Sequence, residues 1–337
     1  MFDWQLMVNQ FKFMLYFVTG CAGFIAARTA ELLLEAGHKV VGVDNLNDYY
    51  DVRLKNWRLN KLLEKGGKKF KFYEVDIEDE EALKNIFQKY RFDAVLNLAA
   101  RAGVRYSMEN PHVYLSTNTT GTLNILECMR EYGVKKHVLA STSSLYAGCA
   151  TPFTEDQPVN TPLSPYAASK KSAELFSYSY YKLYGIDTTV VRYFTVFGPA
   201  GRPDMSIFRF IKWIDSGQPL ELMGDGVQSR DFTFVDDIAQ GTIEATKLLG
   251  YEIINLGGGR NPITINEVIS HIEAALEKKA VINMQPFHAA DMKETWADIS
   301  KAKRLLNWEP KVSPEDGFNI CVKWYLDNKE WCQHIKT

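Results

Sequence analysis

The chain has 337 residues, 46% of them hydrophobic, and a formal net charge of −2. That length and apolar content suit a large core, in one big domain or two moderate ones. The charge balance excludes a global pull toward nucleic acid or anionic membrane, and no run of about 18 uncharged apolar residues offers a membrane span.

The first dozen residues lack a basic n-region and a small-residue cleavage site, so they are a poor signal peptide and read as either an extension packed on the sheet or a misassigned start. "KFMLYFVTG" predicts the first strand and "FIAARTAELLLEAG" a helix ended by Gly37. "HKVVGVD" and "KFKFYEVDI" predict strands two and three, "DEEALKNIFQKY" an acid-started helix and "FDAVLNLAA" strand four. Residues 111–132 predict one longer helix, "KKHVLASTS" strand five, "YAASKKSAELFSYSYYKLYG" a helix and "DTTVVRYFTVF" one further strand. Near-continuous apolar strands between helices specify a parallel sheet covered on both faces, with right-handed connections.

From "FGPAGRPDM" onward Pro and Gly become dense, until "ITINEVISHIEAALEKK" and "ISKAKRLLNW" predict helices again. The expected fold is α/β. A doubly wound parallel sheet occupies 1–195 and takes back chain near 230–260. A smaller mixed α/β lobe, from 196–229 and 261–337, is expected to hold substrate.

The five cysteines, Cys21, Cys128, Cys149, Cys321 and Cys332, form no C-x-x-C pair and no zinc-like spacing with histidine. Neither a disulfide framework nor a metal is expected, and a reducing cytoplasm fits.

"VTGCAGFIAA" lies between the first strand and the first helix. Gly20 and Gly23 let the backbone turn tightly and approach a pyrophosphate at a helix N-terminus, with Ala26 in the third small position. Asp44 ends strand two, where a carboxylate accepts the adenosine-ribose hydroxyls and repels a 2′-phosphate, which favours NAD. Arg53, Lys55 and Arg58 read as a basic, solvated helix face. In "YAASK", Tyr166 and Lys170 stand four apart on one helical face, started by Ser164 and Pro165. An ammonium beside a phenol, with the positive charge of NAD, would lower the tyrosine toward use as a general base. Thr142 or a neighbour in "ASTSSLY" ends the preceding strand beside the expected nicotinamide.

Together "TGCAGFIA", Asp44, "NLAA", Asn118, "STSS", "YxxxK", "RYFTVFGPAGRPDM" and "RDFTFVDD" resemble the extended short-chain dehydrogenase/reductase family, and within it the nucleotide-sugar 4-epimerases. The resemblance covers roughly 13–325, and "DNLNDYYDVRLK", "ARAGVRYSMENP" and "TWADISKAKRLLNW" are similar to the UDP-glucuronate 4-epimerase branch. It implies a Rossmann domain with tightly bound NAD. Tyr166 would be the base and Thr142 the catalytic hydroxyl, with Lys170 on the nicotinamide ribose. The cofactor would be lined by Gly20, Gly23, Phe24, Ile25, Asp44, Asn45, Asn47, Asp76, Ile77, Leu98, Ala99, Ala100, Asn118 and Phe194. Substrate would meet Thr142, Ser143, Ser144, Tyr166, Thr195, Arg202, Arg230 and Asp291, with Arg230 on the UDP diphosphate. The resemblance also implies a homodimer through a four-helix bundle. The bland alternative is that the sheet buries the aromatic faces of helices 112–132 and 166–184.

The chain departs from the family pattern at Ala26, at Asn97 in place of a frequent histidine, at "YAG", and at the longer "QPFHAADM" before Asp291. Related dehydratases and decarboxylases carry Asp or Glu in the short run where this chain has Ser143 and Ser144, so the expected reaction is epimerisation. Thr195 replaces the Asn typical for neutral UDP-glucose, and Arg202 is either a ligand for a C5 carboxylate or a structural loop arginine. Oxidising C4 of a uronate makes a β-keto acid that can lose CO₂; the hydroxyl run and Thr195 are expected to clamp the carboxylate near the carbonyl plane. The competing readings are a UDP-glucose/UDP-galactose 4-epimerase, a UDP-glucuronate decarboxylase, a non-catalytic NAD-binding protein, and a reductase that releases its cofactor.

Overall fold

The computed structural model describes residues 13–287 and 291–337. The N-terminal extension and part of "QPFHAADM" lie outside the described residues.

The first half alternates β1 (Leu15–Thr19), α1 (Phe24–Glu35), β2 (Lys39–Asp44), α2 (Val52–Gly66), β3 (Phe70–Glu74), α3 (Glu80–Lys89) and β4 (Ala94–Asn97). It continues through α4 (Val104–Glu109), α5 (His112–Tyr114), α6 (Gly121–Tyr132), β5 (Lys136–Thr142), α7 (Pro165–Tyr184) and β6 (Asp187–Tyr193). The second half holds β7 (Thr195–Phe197), α8 (Ser206–Ser216), β8 (Pro219–Met223), β9 (Ser229–Arg230), β10 (Phe232–Phe234), α9 (Val235–Glu244) and β11 (Tyr251–Leu256). It ends with β12 (Ile263–Thr264), α10 (Ile265–Leu276), β13 (Val281–Gln285), α11 (Ser300–Leu306), α12 (Pro314–Asp327) and α13 (Lys329–Cys332).

Seven strands form one sheet in the order β11-β6-β5-β4-β1-β2-β3, and every pair is parallel. Alternate side chains feed opposite faces, as the period of two requires. Tyr16 and Val18 join a core with Ala26, Ala30 and Leu33 of α1, while Phe17 joins the other with Leu83 and Phe87 of α3 and Ile125 of α6. A separate core under α8, α10 and α12 contains Phe208, Ile211, Leu222, Val268, Phe318 and Tyr325. This is the doubly wound fold with a second lobe.

Three local expectations change. "DTTVVRYFTVF" is two strands, because Phe194 turns its ring into the main core while Thr195 hydrogen-bonds Asp231 O at 3.3 Å. The chain thereby leaves the large sheet, and β7 pairs with β10. Residues 112–132 are helical throughout but contain a π-helical turn over Leu115–Thr120. Lys55 and Arg58 are not a solvated face: both are buried, on the stripe of α2 that carries Leu54, Leu59 and Leu62. Arg53 alone of the three is exposed.

Candidate functional site

The carboxyl ends of β1, β2, β4 and β5 open into a cavity of about 750 Å³ that reaches across to the smaller lobe. At its base Gly20 adopts φ +67°, and a Cβ there would stand 2.8 Å from Ala99 Cα. Only glycine combines that backbone with that approach. The Gly23 N–H closes the turn onto Gly20 O at 2.7 Å, and α1 begins at Phe24. Thr19 Oγ1 accepts from the Leu98 and Ala99 N–H groups and donates to Asn97 Oδ1 at 2.8 Å. Asn97, in place of the family's frequent histidine, is thus part of the joint between β1 and β4.

Asp44 lines the cavity at the end of β2, and its carboxylate accepts from the Ala22 and Leu46 N–H groups at 3.1 and 2.9 Å. Lys55 Nζ stands 3.9 Å away and donates to Asn47 Oδ1. Asn45 donates to Asp76 at 2.6 Å. Phe24, Ile25, Ile77, Leu98, Ala99, Ala100 and Phe194 also line the cavity. Asn118 does not. The π-helical turn presents it to the loop after β4, where it accepts from Arg101 N and donates to Arg101 O and Ser169 Oγ. It supports the cofactor loop from behind.

Ser164 caps α7 by accepting from the Ala167 N–H, and Pro165 takes the first helical position. Tyr166 and Lys170 then face the cavity. Burial raises the Tyr166 phenol, while the Thr142 hydroxyl and Arg202 pull it back. Burial pulls Lys170 down to about 8, with Glu174 opposing. The protein's own groups therefore push Tyr166 opposite to the expected depression. Lys170 Nζ donates to Ala140 O at 2.9 Å, which leaves N–H groups for a ligand hydroxyl.

Thr142 ends β5 and accepts from the Ser144 N–H at 3.1 Å, starting a 3-10 turn over Ser143–Tyr146. Thr142, Ser143, Ser144 and Thr195 share the cavity wall with Tyr166. Arg202 makes a forked pair with Asp204 and lies over the Tyr49 and Tyr50 rings. Arg230 lines the lobe side, donating to Ser229 O at 2.8 Å. Asp291 also reaches the cavity, but in an ion pair with Arg105 at 2.5 Å. Arg101, Arg105, Arg209 and Tyr49 line it too and were not singled out in the sequence. "ARAGVR" was the one signal for the first two. Arg209 lies 4.4 Å from the Trp213 ring centroid, and its Nε is buried without a partner among the described residues.

These residues fit a dinucleotide. Gly20, Gly23 and Phe24 line the cavity, a carboxylate ends β2, and a buried ammonium retains donors for a ribose. Arg209 and Arg230 line the opposite, lobe side, where cations suit a diphosphate.

A sheet of this order with Tyr166 and Lys170 on the helix beside a hydroxyl-ended strand defines the extended short-chain dehydrogenase/reductase class. Within that class the chain belongs to the GDP-mannose 4,6 dehydratase family, whose profile matches residues 17–320. It is 62% identical over 322 residues to a UDP-glucuronate 4-epimerase of Thermodesulfobacterium geofontis, covering 96% of this chain and 99% of the relative. Among solved structures it is similar to the UDP-glucuronic acid 4-epimerase of Bacillus cereus in complex with UDP-glucuronic acid and NAD. That match has a TM-score of 0.87 and 36% identity, over 94% of this chain and all of the other. It is also similar to a Thermotoga maritima UDP-glucose 4-epimerase with UDP-glucose, at TM-score 0.84 and 32% identity, over 94% of this chain and 100% of that one.

Proposed function

We propose that this chain is an isomerase that interconverts UDP-glucuronate and UDP-galacturonate at C4 with tightly bound NAD. The carrying observation is a Tyr166/Lys170 site whose facing strand end, Thr142–Tyr146, offers hydroxyls and no carboxylate. Dehydration needs a base for the C5 proton, for which that segment supplies no carboxylate, and no acid there assists decarboxylation. The 62% identical epimerase supports the same reading.

When bound, NAD supplies a reversible hydride acceptor. Gly20–Ile25, Asp44 and Lys170 hold and orient it. Tyr166 Oη takes the proton of the sugar 4-hydroxyl, relayed through Thr142, and returns it after the 4-keto sugar has turned over in the cavity. Ser143, Ser144 and Thr195 orient the C5 carboxylate, and Arg230 holds the diphosphate. Arg202, paired with Asp204, orders the rim around Tyr49 and Tyr50.

Purified protein incubated with UDP-glucuronate and no added NAD, followed by NMR of the sugar, tests the reading. UDP-galacturonate without net NADH is the expected result. Faster turnover of UDP-glucose would select the neutral-sugar epimerase instead.

The assembly belongs to the proposal: a homodimer through α6 and α7 of each copy. Leu175, Tyr178, Leu183 and Tyr184 of α7 are exposed, so the sheet does not bury all of that helix's apolar faces. A monomeric mass in solution would overturn the dimer. A cytoplasmic site of action fits five free cysteines, and no described helix is long and apolar enough to cross a membrane.

A further inference from the structure

Behind the active site lies a buried ion pair that the proposed reaction does not use. The Glu174 and Arg192 side chains are each 1% exposed. Glu174 stands on α7 one turn beyond Lys170 and two beyond Tyr166, so the three share a face. Arg192 projects from β6. The two meet as a fork: Nε donates to Oε1 at 2.9 Å and Nη2 to Oε2 at 2.8 Å.

Each partner makes one further bond to the same short segment. Glu174 Oε1 accepts from Ser141 Oγ at 2.6 Å. Arg192 Nη1 donates to Tyr146 Oη at 2.8 Å, with the guanidinium 4.9 Å from that ring's centroid. Tyr146 donates onward to Asn255 Oδ1 on β11 at 2.8 Å and stacks on Phe153. Ser141 directly precedes Thr142, and Tyr146 closes the turn that carries Ser143 and Ser144. Lys170 meanwhile binds Ala140 O, so Thr142 is the first residue past two fixed points.

A buried ion pair is weak grounds for stability, because desolvation offsets its attraction. A forked arginine–carboxylate pair does restrict geometry. We propose that Glu174–Arg192 is a positioning device that holds both ends of Ser141–Tyr146, and so fixes the Thr142, Ser143 and Ser144 hydroxyls relative to Tyr166. The inference rests on the epimerase reading, which assigns those hydroxyls to the substrate.

Ser141→Ala cuts one tie, and Tyr146→Phe cuts the other together with the Tyr146–Asn255 bond; both leave the Glu174–Arg192 pair in place. Full-length wild type is first shown by NMR to convert UDP-glucuronate. Each variant is then expected to lose kcat by about tenfold or more, with the Kd for UDP, which lacks the sugar, and bound NAD per chain within about twofold of wild type. A smaller loss of kcat in both variants overturns the inference and leaves the epimerase reading intact. So does a loss matched by an equal drop in UDP affinity or NAD content, since the pair would then serve the fold as a whole. Wild type that leaves UDP-glucuronate unchanged removes the underlying reading instead.

Discussion

Burial raises the Tyr166 phenol, the Thr142 hydroxyl and Arg202 oppose it, and positive charge brought in with the cofactor would add to that push toward phenolate. Tyr166→Phe removes the proposed proton acceptor and little else. Its kcat is expected to fall about 10²- to 10⁴-fold with UDP affinity retained, measured by titration of UDP and the NMR assay. Ser144→Ala tests the carboxylate clamp. A loosened 4-keto uronate would break its C5–C6 bond, leave the electron pair on the C4–C5 enolate, release CO₂ and take a solvent proton at C5, and return of the hydride to C4 would then give the pentose. A UDP-pentose beside UDP-galacturonate is the expected product; lost activity without any pentose would leave the clamp unsupported. Gly20, Asp44, Tyr166 and Lys170, which line one cavity, were legible in the sequence as candidates because the expected chemistry demands given residue types at given spacings on adjoining elements. Arg209 and Tyr49 were not, since they meet the site only through lobe packing and a loop. Asn118, expected at the cofactor, does not line the cavity; it sits in a π-helical turn, whose side-chain directions no simple periodicity records.

Among the elements, α7 carries both Tyr166 and Lys170, and its start is fixed by one hydroxyl. Ser164→Ala leaves the Ala167 N–H unsatisfied at a buried helix end. It is expected to lower stability by about 1 kcal/mol, read from the urea midpoint, and to lower kcat through Tyr166 two residues on. The long, apolar, strongly alternating elements of the first half were readable because burial on both faces of a parallel sheet dictates their composition. The lobe was not. Strands of two or three residues such as β9, β10 and β12 are too short to show a period. The break after Tyr193 interrupts an apolar run that reads as one strand, and pairing with β10, some forty residues later, decides it.

At the scale of the whole molecule, one contributor to acid stability is His137, fully buried in β5 with no ring partner among the described residues. Burial lowers it from 6.5 to about 3. Below about pH 6.5 the unfolded chain binds a proton there and the folded chain does not, so stability present above that pH declines as pH falls toward 3, by at most about 1.4 kcal/mol per unit. His137→Leu is expected to flatten this slope, seen as a smaller gap between urea midpoints at about pH 4.5 and pH 7. Equal gaps in variant and wild type would contradict it.

The sheet's outermost strand on one side, β11, comes from the second half of the chain and covers β6, whose Val190 and Val191 are completely buried. A ribosome therefore delivers six strands of the sheet and then makes roughly sixty more residues before the seventh arrives, an interval of about 3 to 12 s at ordinary translation rates. For that time the nascent protein presents an apolar, hydrogen-bond-ready flank that other chains can occupy. The order in which this sequence is read thus leaves the β6 edge of the sheet open until β11 is made.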